Sequence, residues 1–267
     1  MSQLEVYPLF SGSSGNSTYI LADGIGILVD AGKNCKHICK ALDQIGVDPD
    51  SIEGLFVTHS HSDHISGLDV FVRNHPTTVY ATEATHLKID KYSRKPHSDI
   101  RNVVIKEYDE VVLSDTVRVL ACPTPHDARG SVCYKIIAGE KSFLLLTDVG
   151  HLTPEITDFS KGVDGAIVES NYDINMLTYG RYPDELKARV AGNGGHINNE
   201  ECAELIDLMI DSGTTRFILG HLSEENNTHT RAVETITDYL VRSGRKRNRD
   251  YFLTVAERHE PTDGMVL

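Results

Sequence analysis

Four side chains able to bind a metal fall within six positions, at His59, His61, Asp63 and His64. The apolar run from Leu55 to Val57 before them reads as a buried strand, and an apolar segment at helical spacing follows over 65–72. His59 and His61 stand two apart on extended backbone, so both face one point. Asp63 and His64 come after the chain has begun to turn and address a second point nearby. Imidazole with carboxylate suits zinc, and also manganese or iron. That set of donors at a strand end is the signature of a metal site rather than of a polar loop.

Further donors arrive at later strand ends. His126 follows a strand over 117–122 and is pinned behind Pro123 and Pro125. The strand over 143–147 is apolar enough to be fully buried, and it delivers Asp148. A carboxylate there is costly unless it binds a cation or is well hydrogen-bonded, and the cation is the better account. A strand over 165–168 delivers Glu169, Ser170 and Asn171, and one over 216–219 ends at Gly220 and His221. His196 lies on a glycine-flanked loop. Asp30, at the end of a strand over 27–30, either orients a metal-bound histidine or caps the turn that follows. The loop over 11–16 contains Ser13, Ser14 and Asn16 with two glycines, and it reads either as an anion cradle or as an ordinary hairpin turn. His75, His86 and His97 stand isolated and are left out of the site.

The elements that must position these donors alternate. Strands over 4–10, 18–22, 78–81, 103–108, 110–113, 132–137, 141–146 and 251–255 join those above. Helices over 36–45, 83–92, 183–190, 199–209 and 230–240 lie between them. No linker separates the halves, so the expectation is one α/β domain over 1–267, a mixed sandwich with its site along a sheet edge. The length of 267 residues is enough to bury a sizeable core. A net charge of −13 argues against a passive electrostatic sponge for nucleic acid, though not against an enzyme whose site holds its own cations. Residues 1–10 lack a basic region and a long apolar run, so no signal peptide is expected, and no apolar stretch approaches the roughly 20 residues of a membrane helix. Cys35, Cys39, Cys122, Cys133 and Cys202 are scattered, without a C-x-x-C pair, and read as reduced thiols of a cytoplasmic protein. Arg245, Lys246, Arg247 and Arg249 read as a solvated loop, with a nucleic-acid contact as the second reading.

At His59-x-His61-x-Asp63-His64, followed by His126, Asp148 and His221, the chain resembles the metallo-β-lactamase-fold hydrolases over nearly its whole length. The resemblance implies a four-layer αβ/βα sandwich with two divalent metal ions, zinc or manganese ahead of iron. His59, His61 and His126 would hold the first, Asp63, His64 and His221 the second, with Asp148 bridging. Ser11 to Ser17, Pro125-His-Asp127, Glu169-Ser-Asn171 and Gly220-His-Leu-Ser-x-Glu-Asn226 narrow the likeness to the YycJ/WalJ group. That group implies a metal-dependent nuclease, a 5′-to-3′ exonuclease on DNA linked to mismatch repair. Two departures stand out: Ser60 replaces a larger polar residue, and His151 stands where an aromatic is expected, able to alter the cleft or add a contact.

The implied chemistry is in-line attack on a phosphodiester by a metal-activated hydroxide. His196 is the candidate acid for the leaving group, Glu169 its orienting partner, and Asp63 counts among the catalytic groups as well as the ligands. Ser13, Ser14, Asn16 and Asn171 are the candidate substrate contacts. Competing readings are a hydrolase of a small thioester, lactone or cyclic phosphodiester on the same metals, and a metal-bearing binding module without catalysis. A redox di-iron protein of this fold is disfavoured by His61, where such proteins carry glutamate.

Overall fold

A computed structural model describes residues 3–92 and 101–267, so His97 lies outside the described residues. Its contacts divide the chain into two compact units: Met1–Pro123 with Ala128–Lys141 and Glu257–Leu267, and Thr124–Asp127 with Ser142–Ala256.

In the first unit, β1 (Leu4–Phe10), β2 (Ser17–Ala22) and β3 (Ile25–Val29) form an antiparallel meander. β4 (Ile52–Phe56), β5 (Thr78–Thr82) and β6 (Asn102–Ile105) then continue in parallel from β3. Parallel neighbours need crossovers, and here these carry α1 (Cys35–Gln44), α2 (Ser62–Ile65), α3 (Leu68–Asn74) and α4 (Glu83–Tyr92). α1 starts where the Asn34 side chain accepts from the His37 amide, and it buries Ile38, Ala41 and Leu42 against the sheet's core, which includes Leu28, Leu55 and Phe71. A separate antiparallel set holds β7 (Glu110–Val112), β8 (Val117–Pro123) and β9 (Val132–Ala138). Within this unit β9 closes on the end of β4: the buried Tyr134 hydroxyl donates to the Val57 carbonyl at 2.8 Å.

The second unit is a parallel sheet of β10 (Lys141–Leu146), β11 (Gly165–Glu169), β12 (Arg216–Gly220) and β13 (Phe252–Val255). β10, β11 and β12 end in near-continuous buried apolar runs, as strands covered on both faces do, whereas β13 leaves Phe252 and Thr254 exposed. The crossovers hold α5 (Pro154–Ser160), α6 (Ile174–Tyr179), α7 (Asp184–Val190), α8 (Asn199–Asp211) and α9 (His229–Arg242). A capping box between Asn198 and Glu201 fixes the start of α8. The last strand, β14 (Met265–Val266), returns to β1 in the first unit.

Three local departures from the sequence reading have physical causes. The helical segment expected over 65–72 is two helices, α2 and α3, broken at Ser66 and Gly67, so Asp63 and His64 sit in a helical turn. The strand expected over 103–108 stops at Ile105, because Tyr108 turns through a φ of 64° and the Asp109 side chain takes the Lys106 amide at 2.7 Å. α5 and α6 were not anticipated, although Thr153-Pro154 and Asp173 supply N-terminal caps for them.

Carboxyl ends of parallel strands are where open α/β sheets place their ligands. Three residues at such ends, Asp30, Asp148 and His221, take left-handed backbone with φ of 61°, 60° and 55°. Side chains with a Cβ rarely adopt that conformation, and its clustering at strand ends marks a functional edge.

Candidate metal centre

In the first unit the donors grow from the end of β4. His59 and His64 are fully buried, and the His59 Nε2 lies 3.1 Å from His61 Nδ1. His64 Nδ1 meets the Asp30 carboxylate at 2.7 Å, which leaves Nε2 as the nitrogen that could face a cation. Asp30 thus orients a histidine, which settles the choice left open above. Thr58, which the sequence reading passed over, completes this arrangement: its amide and hydroxyl both donate to Asp30 at 2.8 Å, and its hydroxyl touches His59 Nδ1 at 3.1 Å. His64 Nε2 faces Asp63 Oδ2 at 3.5 Å, longer than a hydrogen bond.

The loop before β2 packs under this motif. Asn16 is buried, its amide nitrogen donates to the Asp63 carbonyl at 2.7 Å, and its side-chain nitrogen lies 3.3 Å from Asp63 Oδ2 and 3.0 Å from His64 Nε2. Ser13 and Ser14 are exposed, with Ser14 reached by Lys33 Nζ at 3.0 Å. Gly32 is required by this packing, since a Cβ there would stand 1.7 Å from the Asp63 carbonyl oxygen. A cavity of about 410 Å³ lies against His61, lined also by Ser60, Ser62, Ile65, Leu68 and Ile89.

In the second unit the donors come from four loops. His126 Nδ1 donates to the Gly195 carbonyl at 3.0 Å, which directs Nε2 toward Asp148 Oδ1 at 3.5 Å. His221 Nδ1 meets Glu169 Oε1 at 2.8 Å, and its Nε2 lies 3.7 Å from the same Asp148 oxygen. His196 Nδ1 also meets Glu169 Oε1 at 2.8 Å. The other Glu169 oxygen takes the Val149 amide at 2.8 Å. Burial pushes Glu169 upward, but the His196 and His221 imidazoles more than offset it and hold the carboxyl below its usual range.

Nearby polar groups hold these loops. The Asn171 side chain donates to the His221 carbonyl at 2.8 Å, so it is buried support behind a donor. Asn227 and Asn199, both buried and both missed from sequence, tie the end of β11 to the starts of α8 and α9: Asn227 Nδ2 donates to the Ser170 carbonyl at 2.9 Å and to Asn199 Oδ1 at 2.8 Å. Their signals were asparagine pairs at two helix starts, Asn198-Asn199 at α8 and Asn226-Asn227 running into Thr228, the cap of α9. His151 Nδ1 donates to the Asn193 carbonyl at 3.0 Å and so anchors the loop that carries His196.

The donor set fits divalent cations. Asp148, His196 and His221 with Glu169 bring one ligand atom each within 4.8 Å of one another. Nitrogen and oxygen donors sharing a zinc at 2.0–2.2 Å stand about 3.3–3.5 Å apart. The 3.5 and 3.7 Å separations around Asp148 Oδ1 are of that kind and exceed hydrogen-bond length. A buried carboxylate facing two imidazole lone pairs is stable with a cation between them.

The remaining histidines and the basic stretch lie outside this donor set. His86 is buried with Nε2 on the Val103 carbonyl at 3.0 Å. His75 is not isolated: its Nε2 lies 3.4 Å from Cys39 Sγ. The basic stretch near the end is occupied internally, with Arg245 on Asp207, Arg249 on Asp250 and Arg247 on the Leu253 carbonyl. All five cysteines remain thiols, as expected.

Comparison with known proteins agrees with this chemistry. A family described as the Beta-lactamase superfamily domain matches residues 26–222. Exodeoxyribonuclease WalJ of Streptococcus pneumoniae serotype 2 (strain D39 / NCTC 7466) is 33% identical over 237 residues, 88% of this chain and 87% of that protein. Exodeoxyribonuclease YycJ of Bacillus anthracis is 32% identical over 236 residues, 88% of this chain and 89% of its own. The metallo-β-lactamase fold protein YhfI from Bacillus subtilis aligns with a TM-score of 0.73 over 97% of this chain and 99% of its own; at 15% identity that likeness is one of fold alone. Most of the chain thus follows one family pattern and about a third of the aligned residues match two relatives of similar length, so it belongs to the metallo-β-lactamase superfamily, in the group of WalJ and YycJ.

Proposed function

We propose that this chain is a metal-dependent exodeoxyribonuclease working as one hydrolase domain over residues 1–267. In this reading His59, His61 and His126 hold one divalent cation, Asp63, His64 and His221 hold a second, and Asp148 bridges them. The family's ligand order supports that assignment residue by residue, and the nitrogen and oxygen donors suit zinc or manganese. When bound, such a pair supplies Lewis acidity and a nucleophile at neutral pH.

The observation that carries the phosphodiesterase reading is an imidazole beyond the ligand set. His196 is tied through Nδ1 to the ionised Glu169 at 2.8 Å, with its side chain 17% exposed, so Nε2 is the edge that hands a proton to a leaving oxygen. Glu169 fixes the ring, and His151 fixes the loop behind it. Asp63 belongs to both the ligands and the catalytic groups. The cavity against His61 has the volume for one small ligand, and its polar and apolar walls suit a terminal nucleoside, as digestion from a chain end requires. Ser13 and Ser14, exposed on their loop, are the contacts best placed for a phosphate, whereas Asn16 and Asn171 act through Asp63 and His221.

The names of the two bacterial relatives support DNA as the substrate, and the family resemblance supports 5′-to-3′ digestion and a role in repair. No helix among the described residues is long and apolar enough to cross a membrane, which accords with a cytoplasmic enzyme. The test is digestion of end-labelled single- and double-stranded DNA and RNA by the purified chain with zinc or manganese, beside a panel of thioesters and lactones. Shortening of DNA from its 5′ end is the expected result. Rapid turnover of a small ester with every nucleic acid left intact would overturn the proposal.

A further inference from the structure

A second group of metal-binding side chains lies in the first unit, in a region the nuclease reading does not use. Cys35 and Cys39 are one turn apart on α1, with sulfurs 3.7 Å apart. His75, the residue that ends α3, brings Nε2 to 3.4 Å from Cys39 Sγ. These three donor atoms all lie within 4.8 Å of one another. Two sulfurs and an imidazole nitrogen on a tetrahedral zinc, with zinc–sulfur distances of 2.3 Å and zinc–nitrogen distances near 2.0 Å, stand about 3.8 Å (S to S) and about 3.5 Å (S to N) apart. The observed spacings are those of a shared cation. They are far from the 2.03–2.05 Å of a disulfide.

The surroundings also resemble those of a metal ligand set. His75 Nδ1 meets the Asp50 carboxylate at 2.6 Å, the carboxylate–histidine pairing that fixes a ligating ring. The Asn74 side-chain amide points at Cys35 Sγ at 3.8 Å, a weak donor to a sulfur that carries charge. We propose that Cys35, Cys39 and His75 bind a thiophilic divalent cation, zinc by preference, with water in the fourth position, and that this cation staples α1 to α3.

Burial, then the Cys35 contact, pushes the Cys39 thiol up to about 11, so this thiol is protonated when no cation is bound. Binding therefore releases the Cys39 proton to solvent, and two thiolates neutralise the cation's two charges. The staple would act on the nuclease half-site through the two helices. α1 follows the turn in which the Ala31 amide donates to the His64 carbonyl at 2.8 Å and the Gly32 carbonyl accepts from Ser66 Oγ at 2.6 Å. α3 leaves directly from the His64 helix. Clamping the start of α1 to the far end of α3 holds Asp63 and His64 in register.

Cobalt(II) added to the reduced full chain provides the test, because sulfur-to-cobalt charge transfer gives a near-ultraviolet band that nitrogen and oxygen ligands cannot give. The wild type should show the band. Cys39→Ser and Cys39→Ala should abolish it, and Cys202→Ser, in α8 of the second unit, should keep it. Asp50→Asn should retain the band and need about tenfold more cobalt, the mild end of the 10–100-fold range because Asp50 is largely exposed. Should the Cys39 variants fail to fold, cadmium applied to wild type serves instead: it should shield Cys39 from alkylation. No band at saturating cobalt, an unchanged band in Cys39→Ser, or no shielding by cadmium would each overturn the proposal. None of these readouts depends on nuclease activity.

Discussion

In the first unit one buried carboxylate, Asp30, orients one histidine; in the second, Glu169 orients two. Both stand at the ends of strands in parallel array, and both reach imidazoles through Nδ1. The surplus in the second unit is His196. A half-site in which every imidazole has a ligand's place can only hold cations, whereas one with an extra oriented imidazole can also move a proton. On the proposed function, each unit offers cation-binding side chains, and the proton-transferring imidazole would come from the second.

The largest expected effect comes from the residue that would belong to both cations. Asp148→Ala should reduce the metal content per chain, read by elemental analysis, by more than any single histidine variant, and should abolish hydrolysis. Full occupancy in that variant would remove Asp148 from the bridge. His221→Ala should lose one cation and the activity with it.

The next effect separates acid from ligand. His196→Ala should keep both cations and lose about 10²–10⁴ in rate on DNA. A nitrophenyl phosphodiester needs little protonation of its leaving group, so the variant should recover much of its deficit there. Equal impairment on both substrates, or lost metal, would make His196 a ligand or a support.

The comparison sharpens further with the carboxylates themselves. Each supporting carboxylate should be worth about 10–100-fold in metal affinity. Asp30→Asn, which loosens one ring, should fall at the low end by competition with a chelator. Glu169→Gln loosens two and should combine an affinity loss with slower turnover. Indistinguishable variants would mean that Glu169 serves His221 alone.

The smallest effects come from backbone packing. Gly32→Ala forces a Cβ against the Asp63 carbonyl oxygen, and Gly150→Ala forces one to 2.1 Å from the Asn193 carbonyl oxygen. Each should cost about 1–3 kcal/mol of stability by denaturant melting. Gly32→Ala should also weaken metal binding, and Gly150→Ala should slow turnover by moving the His196 loop.

What could be read from sequence followed from periodicity and from donors at strand ends. The strand before His59 and the apolar run before Asp148 announced themselves because burial on both faces demands unbroken apolar residues. Thr58, Asn199 and Asn227 did not, since a threonine or asparagine acquires its meaning only from what folds against it. His75 was passed over for the same reason: its sulfur neighbour is 36 residues away in sequence, and only the packing of α1 on α3 brings them together.

The left-handed backbone at Asp30, Asp148 and His221 sets a limit on how this protein can change. Each position holds a residue with a Cβ where glycine would sit more comfortably, at a cost of about 1 kcal/mol apiece. Glycine would relieve that cost and remove a proposed metal donor or the carboxylate behind one. At these three turns, selection for thermal robustness and selection for turnover pull in opposite directions, so a hardier lineage must find its stability elsewhere in the chain.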